Sequence, residues 1–108
     1  MEKNIIVEWA PFTLVEWTSE TTLLEASEAI QNEFLSKQSG FIRRELLKGK
    51  DYQWVDVVYW NSKQDAEQAM KNAAEKPVCH TYSQLMVAAD HNDPSVGVSH
   101  FEQMKVWE

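Results

Sequence analysis

In the run Trp54-Val55-Asp56-Val57-Val58-Tyr59-Trp60 the residues of one parity are Trp54, Asp56, Val58 and Trp60. Side chains alternate along a strand, so these four share a face. The run predicts a strand over 54–60, with a carboxylate set between two indoles. Upstream, residues 41–48 (FIRRELLK) predict a second strand, and the short GKDYQ segment joins the two as an antiparallel hairpin. Residues 4–17 are rich in β-branched and aromatic types and predict a first strand, with a bulge or an edge at Pro11. The run VGVSHFEQMKVW at 96–107 predicts a last one.

Between these strands the periodicity changes to that of helices. From Thr22 to about Lys37, Leu23, Ser27, Ile30 and Phe34 form one stripe, flanked by Leu24 and Leu35. Thr22 and Glu25 have capping-box spacing, and Gly40 stands where a helix C-terminus calls for it. After Trp60, Asn61 or Ser62 caps a helix with a small stripe of Ala66, Ala69, Met70 and Ala73. Pro77 opens another helical segment carrying Val78, Tyr82, Leu85, Met86 and Ala89. A loop containing Pro94 leads into the last strand. The order is β-α-β-β-α-β, which predicts an α+β, ferredoxin-like domain. Its four-stranded antiparallel sheet carries the helices on one face. The other face, rich in Trp and Val, predicts a homodimer through the open sheet.

Composition narrows the function classes. The 108 residues fit a single domain spanning 1–108. A net charge of −7, with Arg43-Arg44 the one adjacent basic pair, speaks against nucleic acid as a partner. No apolar run approaches the roughly 20 residues that span a membrane, and the N-terminus lacks the pattern of a signal peptide. A single cysteine, Cys79, allows no internal disulfide. Cytoplasmic location is the expectation. Five tryptophans mean that aromatic surface dominates the core, a pocket or an interface.

The run FLSKQSGFIRRELLKGKDYQWVDVVYWNSKQDAEQAM resembles the dimeric α+β-barrel superfamily, in particular its antibiotic-biosynthesis monooxygenase-like group. The resemblance is carried by Phe34-Leu35 before Ser39-Gly40-Phe41, by the hairpin, and by Trp60-x-Ser62 ahead of an Ala-rich helix. Ser99-His100-Phe101 in the last strand also fits. It implies a homodimer whose sheets meet as a barrel, with a pocket in each subunit between sheet and helices. It also implies cofactor-free oxygenation: the deprotonated substrate reacts with oxygen itself, and no flavin or metal is required. Haem-degrading members use an Asn in the first strand, a Trp in the second helix and a His in the next. Here Asn4 lies at the very start of its strand, Ala69 stands near the Trp position, and His80 is within about a residue of the His. Two of three marks are missing or displaced, which disfavours haem degradation.

The candidate catalytic residues are Asp56 and His100. If hairpin partners sum to an even number, Arg44 shares the Asp56 face; if odd, Arg43 does. The Asp56–Arg pairing reads either as a structural ion pair or as a proton acceptor in a Trp-walled pocket. His100 reads as a satisfied strand histidine or as a general base working with Asp56. Trp54, Trp60, Arg43, Arg44, His80 and Tyr82 are candidates for contact with an apolar or aromatic small molecule. Phe34 and Met86 read as core that such a ligand also touches. Cys79 and His80 point about 100° apart on a helix and make a poor metal pair, so no metal site is expected, His91 and Asp93 notwithstanding. The alternative to an enzyme is a non-catalytic dimer binding a fatty-acid-like molecule by an arginine.

Overall fold

In the computed structural model, which describes residues 4–88 and 97–108, the period-two segments form one four-stranded sheet. The strands are β1 (Ile6–Thr13), β2 (Phe41–Lys48), β3 (Gln53–Trp60) and β4 (Ser99–Glu102), in the spatial order β2-β3-β1-β4. All adjacent pairs are antiparallel. The helices are α1 (Glu20–Glu33), α2 (Lys63–Ala73) and α3 (Pro77–Ser83), with a single 3-10 turn at Leu35–Lys37. This is the expected α+β, ferredoxin-like arrangement, with the second helical leg broken at Pro77.

Leu23, Ser27 and Ile30 are the buried residues of α1, Ala66 and Ala69 those of α2, and Cys79 and Tyr82 those of α3. All of these but Ser27 pack with Ile6, Trp54, Val58 and Trp60 in one apolar core. Phe41 meets Trp60 edge-to-face at 5.9 Å between ring centroids.

Several boundaries differ from the sequence reading, each for a physical reason. β1 ends at Thr13 because the chain then turns to a different partner. Leu14 bridges Met86, Val15 N donates to Leu85 O (2.9 Å), and Val87 N donates to Thr13 O (2.8 Å). The same pairing ends the helical segment at Ser83, so Leu85 and Met86 are not helical. β4 covers only 99–102; Gln103 N donates to Ile5 O, and β1 offers no further ladder beyond that point. The cap of α1 is Ser19, whose Oγ accepts from Thr22 N, one turn before the Thr22–Glu25 box. Ala89, His91, Asp93, Pro94 and Val96 lie outside the described residues.

The hairpin turn has its left-handed residues at Asp51 (φ 50°) and Tyr52 (φ 67°), not at Gly49. Gly40 and Gly97 also have positive φ, and at Gly40 close packing adds to the demand. The Gly40 φ is +79°, its carbonyl accepts from Asn61 N, and a Cβ there would run into the Asp65 side chain. Asp65 cannot easily move, because it shares a reciprocal cap with Ser62 at the start of α2. Gly40→Ala should therefore destabilise the fold by about 2 kcal/mol, read as a lower urea midpoint at unchanged m-value.

Candidate functional site

Asp56 faces the helices. The hairpin partners sum to 102 over Arg43–Lys48, after a one-residue irregularity between Phe41 and Arg43. Arg44 therefore lies opposite Val58 and Leu46 opposite Asp56. That even register puts Arg44 diagonal to Asp56 on the same face and turns Arg43 to the other.

The charges are deeply buried: the side chains of Arg44 and Asp56 are 7% and 10% exposed. Arg44 Nε donates to Asp56 Oδ1 at 2.9 Å, with Nη2 2.8 Å from the same oxygen. Arg44 Nη1 donates to the Ser27 carbonyl of α1 (3.1 Å) and Nη2 to the Tyr82 hydroxyl of α3 (3.0 Å). Tyr82 in turn donates to Asp56 Oδ2 at 2.7 Å. Burial, and after it the Asp56 charge, push the Tyr82 phenol well above its ordinary range, so it stays a donor. One cluster thus ties β2, β3, α1 and α3 together.

Beside the cluster is a cavity of about 210 Å³ between sheet and helices. Its apolar wall includes Ile30, Phe34, Val58, Ala69 and Ala73, and its polar groups come from Glu8, Arg44, Asp56, Trp60, Cys79 and Tyr82. The small side chains of α2 leave the space that bulkier ones would fill. Trp60 is 1% exposed, and its Nε1 has no hydrogen-bond partner. Burial raises the Cys79 thiol, which holds it in the neutral form.

Glu8, on β1, lines the cavity and is not among the candidates read from the sequence. It belongs to the inward set Ile6, Glu8, Ala10 and Phe12, and so carries the same signal that singled out Asp56. It stands directly across from His100 of β4, with Oε1 3.5 Å from Nε2. Burial is the largest influence on its carboxyl and moves it up; His100 opposes this. Desolvation wins, so the carboxyl keeps its proton to a higher pH than an ordinary glutamate.

The structure brings together Phe34, Arg44, Asp56, Trp60 and Tyr82 around one cavity, with His100 against Glu8 at its β1–β4 side. It separates the others. His100 and Asp56 stand on non-adjacent strands, because β1 lies between β3 and β4. Arg43 is on the opposite face, paired with Glu45 (3.0 Å) and stacked on Tyr59 (4.5 Å), so it cannot contact a ligand here. Trp54 is buried core beneath Lys48, away from the cavity. His80 points outward, its Nε2 2.7 Å from the Ala74 carbonyl oxygen, since its position on α3 is rotated away from Cys79 and Tyr82. Met86 lies beyond α3 in the bridge to Leu14 and lines a separate groove near Phe12. Among the described residues no group of three or more His, Cys, Asp or Glu side chains is placed to hold a metal ion. No helix among them is long and apolar enough to cross a membrane.

No protein-family model matches the chain, and no curated protein matches it by sequence. Solved structures do match in fold. SnoaB, a cofactor-independent oxygenase from Streptomyces nogalater seen as a substituted variant, superposes with a TM-score of 0.67 at 17% identity, over 97% of this chain and 96% of that one. A candidate monooxygenase from Shewanella loihica gives 0.64 at 15% identity, over 98% and 100%. A conserved protein from Methanosarcina mazei gives 0.72 at 10%, over 94% and 95%. The chain therefore has the ferredoxin-like fold of the antibiotic-biosynthesis monooxygenase-like structures, as the sequence resemblance implied.

The buried cluster yields a direct test. Arg44→Met strands the Asp56 charge and should cost about 3–5 kcal/mol. Arg44→Met combined with Asp56→Leu should recover most of that loss, because no unpaired charge then remains. Chemical denaturation of the two single variants and the double variant measures the coupling.

Proposed function

We propose that the chain is a cofactor-independent monooxygenase for a small, flat, apolar molecule bearing an ionisable hydroxyl. The molecule binds in the cavity between sheet and helices. The observation that carries this reading is Trp60 Nε1, a buried donor without a partner in the wall of an apolar cavity. An unpaired buried donor costs about 1–3 kcal/mol, and a ligand oxygen set against it removes that cost. The donor would then hold the oxygen of a substrate anion, the charge that develops on deprotonation.

Size limits the substrate. An apolar cavity of about 150 Å³ holds one benzene ring, so about 210 Å³ suits one ring or two fused rings. Electrons for oxygen come from the substrate itself. A deprotonated phenol reacts with O2 to give a quinone and water. One oxygen atom joins the ring carbon; the other leaves with the ring hydrogen and the hydroxyl hydrogen. The fold shared with SnoaB, described as a cofactor-independent oxygenase, supports the reading by analogy. A fatty-acid-like ligand fits less well, because all three guanidinium nitrogens of Arg44 are already engaged by Asp56, Ser27 and Tyr82.

The reading includes a homodimer through the open sheet face. Trp9, Leu47 and Phe101 lie there substantially exposed, beside Val55 and Tyr59. A contiguous apolar surface of this kind is the usual mark of an interface, and a second copy would cover both sheets at once.

Two measurements follow. Purified, metal-stripped protein should consume O2 with mono- and bicyclic phenols and form the quinone with one 18O atom from 18O2. Trp60→Phe should lower kcat/KM by about 100-fold, and a protein that binds these phenols without oxygen uptake would sink the reading in favour of a binding protein. Separately, sedimentation should show a dimer that Trp9→Glu converts to a folded monomer.

A further inference from the structure

Two carboxylates line the cavity, and their surroundings differ. Asp56 accepts from Arg44 at Oδ1 and from Tyr82 at Oδ2, which leaves one of its roughly four acceptor positions for a substrate proton. Glu8 is paired with neither an arginine nor a tyrosine. Trp60 and His100 approach it loosely, His100 Nε2 standing 3.5 Å from Glu8 Oε1, and neither reaches it at the short distances that hold Asp56. The Glu8 and His100 side chains are 15% and 21% exposed, so neither is sealed from water.

We propose that Glu8 is the proton acceptor for the molecule bound in this cavity, with His100 as the positioning residue that orients its carboxylate. The proposal rests on the function argued above. In the step, the substrate O–H bond breaks and the proton forms a new O–H bond on a Glu8 carboxylate oxygen. The electron pair stays on the substrate oxygen, held by Trp60 Nε1. Nothing is oxidised at this stage; electron transfer to O2 follows it.

Several influences act on the acceptor. Facing Glu8 or the same cavity are His100 from β4, Asp56 from β3, Arg44 from β2, and Cys79 and Tyr82 from α3. The side chains that α1 and α2 present to it are apolar. Burial raises the Glu8 carboxyl most, the Asp56 charge adds to that, and His100 opposes both. A carboxylate whose proton affinity has been raised toward the working pH is a better base than one left at its ordinary value. The sign follows: the base form exists above Glu8's folded-state pKa, so kcat/KM should rise with pH through that value.

The test needs a readout besides turnover, and 1-naphthol under anaerobic conditions supplies one. Wild-type protein should bind it as naphtholate, seen in absorbance. Glu8→Gln should bind it within about threefold of the same Kd but as the neutral naphthol, and should lose the rising pH limb with about 100-fold of kcat/KM. His100→Gln should lower kcat with KM nearly unchanged. In the free protein, carbon-13 titration of the Glu8 carboxyl should give a midpoint above 4.5 that moves higher in His100→Gln. A midpoint at or below 4.5, no response to His100→Gln, or no naphtholate in the wild type overturns the assignment. So does naphtholate with full turnover in Glu8→Gln, which leaves the oxygenase reading standing. Naphtholate formation without any oxygen uptake does the reverse, removing the oxygenase and keeping the acceptor.

Discussion

The rest of the site depends on the buried contact between Arg44 and Asp56. A guanidinium and a carboxylate out of water are tolerable only if nearly every hydrogen-bonding position is satisfied. Here the satisfaction comes from outside the hairpin: the Ser27 carbonyl from α1 and the Tyr82 hydroxyl from α3. The hairpin cannot complete the cluster alone, and the helices cannot dock elsewhere without stranding a charge. The ion pair therefore acts more as a locating pin than as a source of net stability. It fixes where α3 sits over the sheet, and hence where Tyr82 and Cys79 stand in the cavity wall.

The same pin explains why a cavity survives in a core of large aromatics. α1 and α3 are tethered by polar contacts with fixed lengths, whereas α2 meets the sheet through Ala66 and Ala69. Alanine at Ala69 and Ala73 leaves space that the tethered helices cannot close by sliding inward. An interior normally fills such space to crystal-like density. Its persistence beside an unpartnered indole N–H is what turns a packing detail into a functional argument.

Much of this was legible in the sequence, because the period-two and helical patterns are direct consequences of burial on one face. The element order, the break at Pro77 and the presence of an arginine on the Asp56 face all followed from residue spacing. The strand limits did not, since they depend on which segment competes for Thr13 and Leu14, and that is decided by tertiary pairing with Leu85–Val87. Helical rotation separated His80 from Cys79 and Tyr82, although the three lie within four positions. Glu8 was overlooked although its signal matches that of Asp56, a carboxylate on the inward parity of a strand. Its meaning emerges only when β4 brings His100 opposite, which no local pattern specifies.

Two acidic residues on one sheet face, one strand apart, thus carry different chemistry because of what stands next to each. Asp56 meets a guanidinium whose charge cannot be removed, and that contact is built into the fold. Glu8 meets an imidazole and an apolar wall, with no arginine paired to it. Were the arginine opposite Glu8 and the histidine beside Asp56, the fold would keep its topology while the two roles exchanged. What assigns the roles is the strand order β2-β3-β1-β4, which delivers Arg44 to Asp56 from one side and His100 to Glu8 from the other.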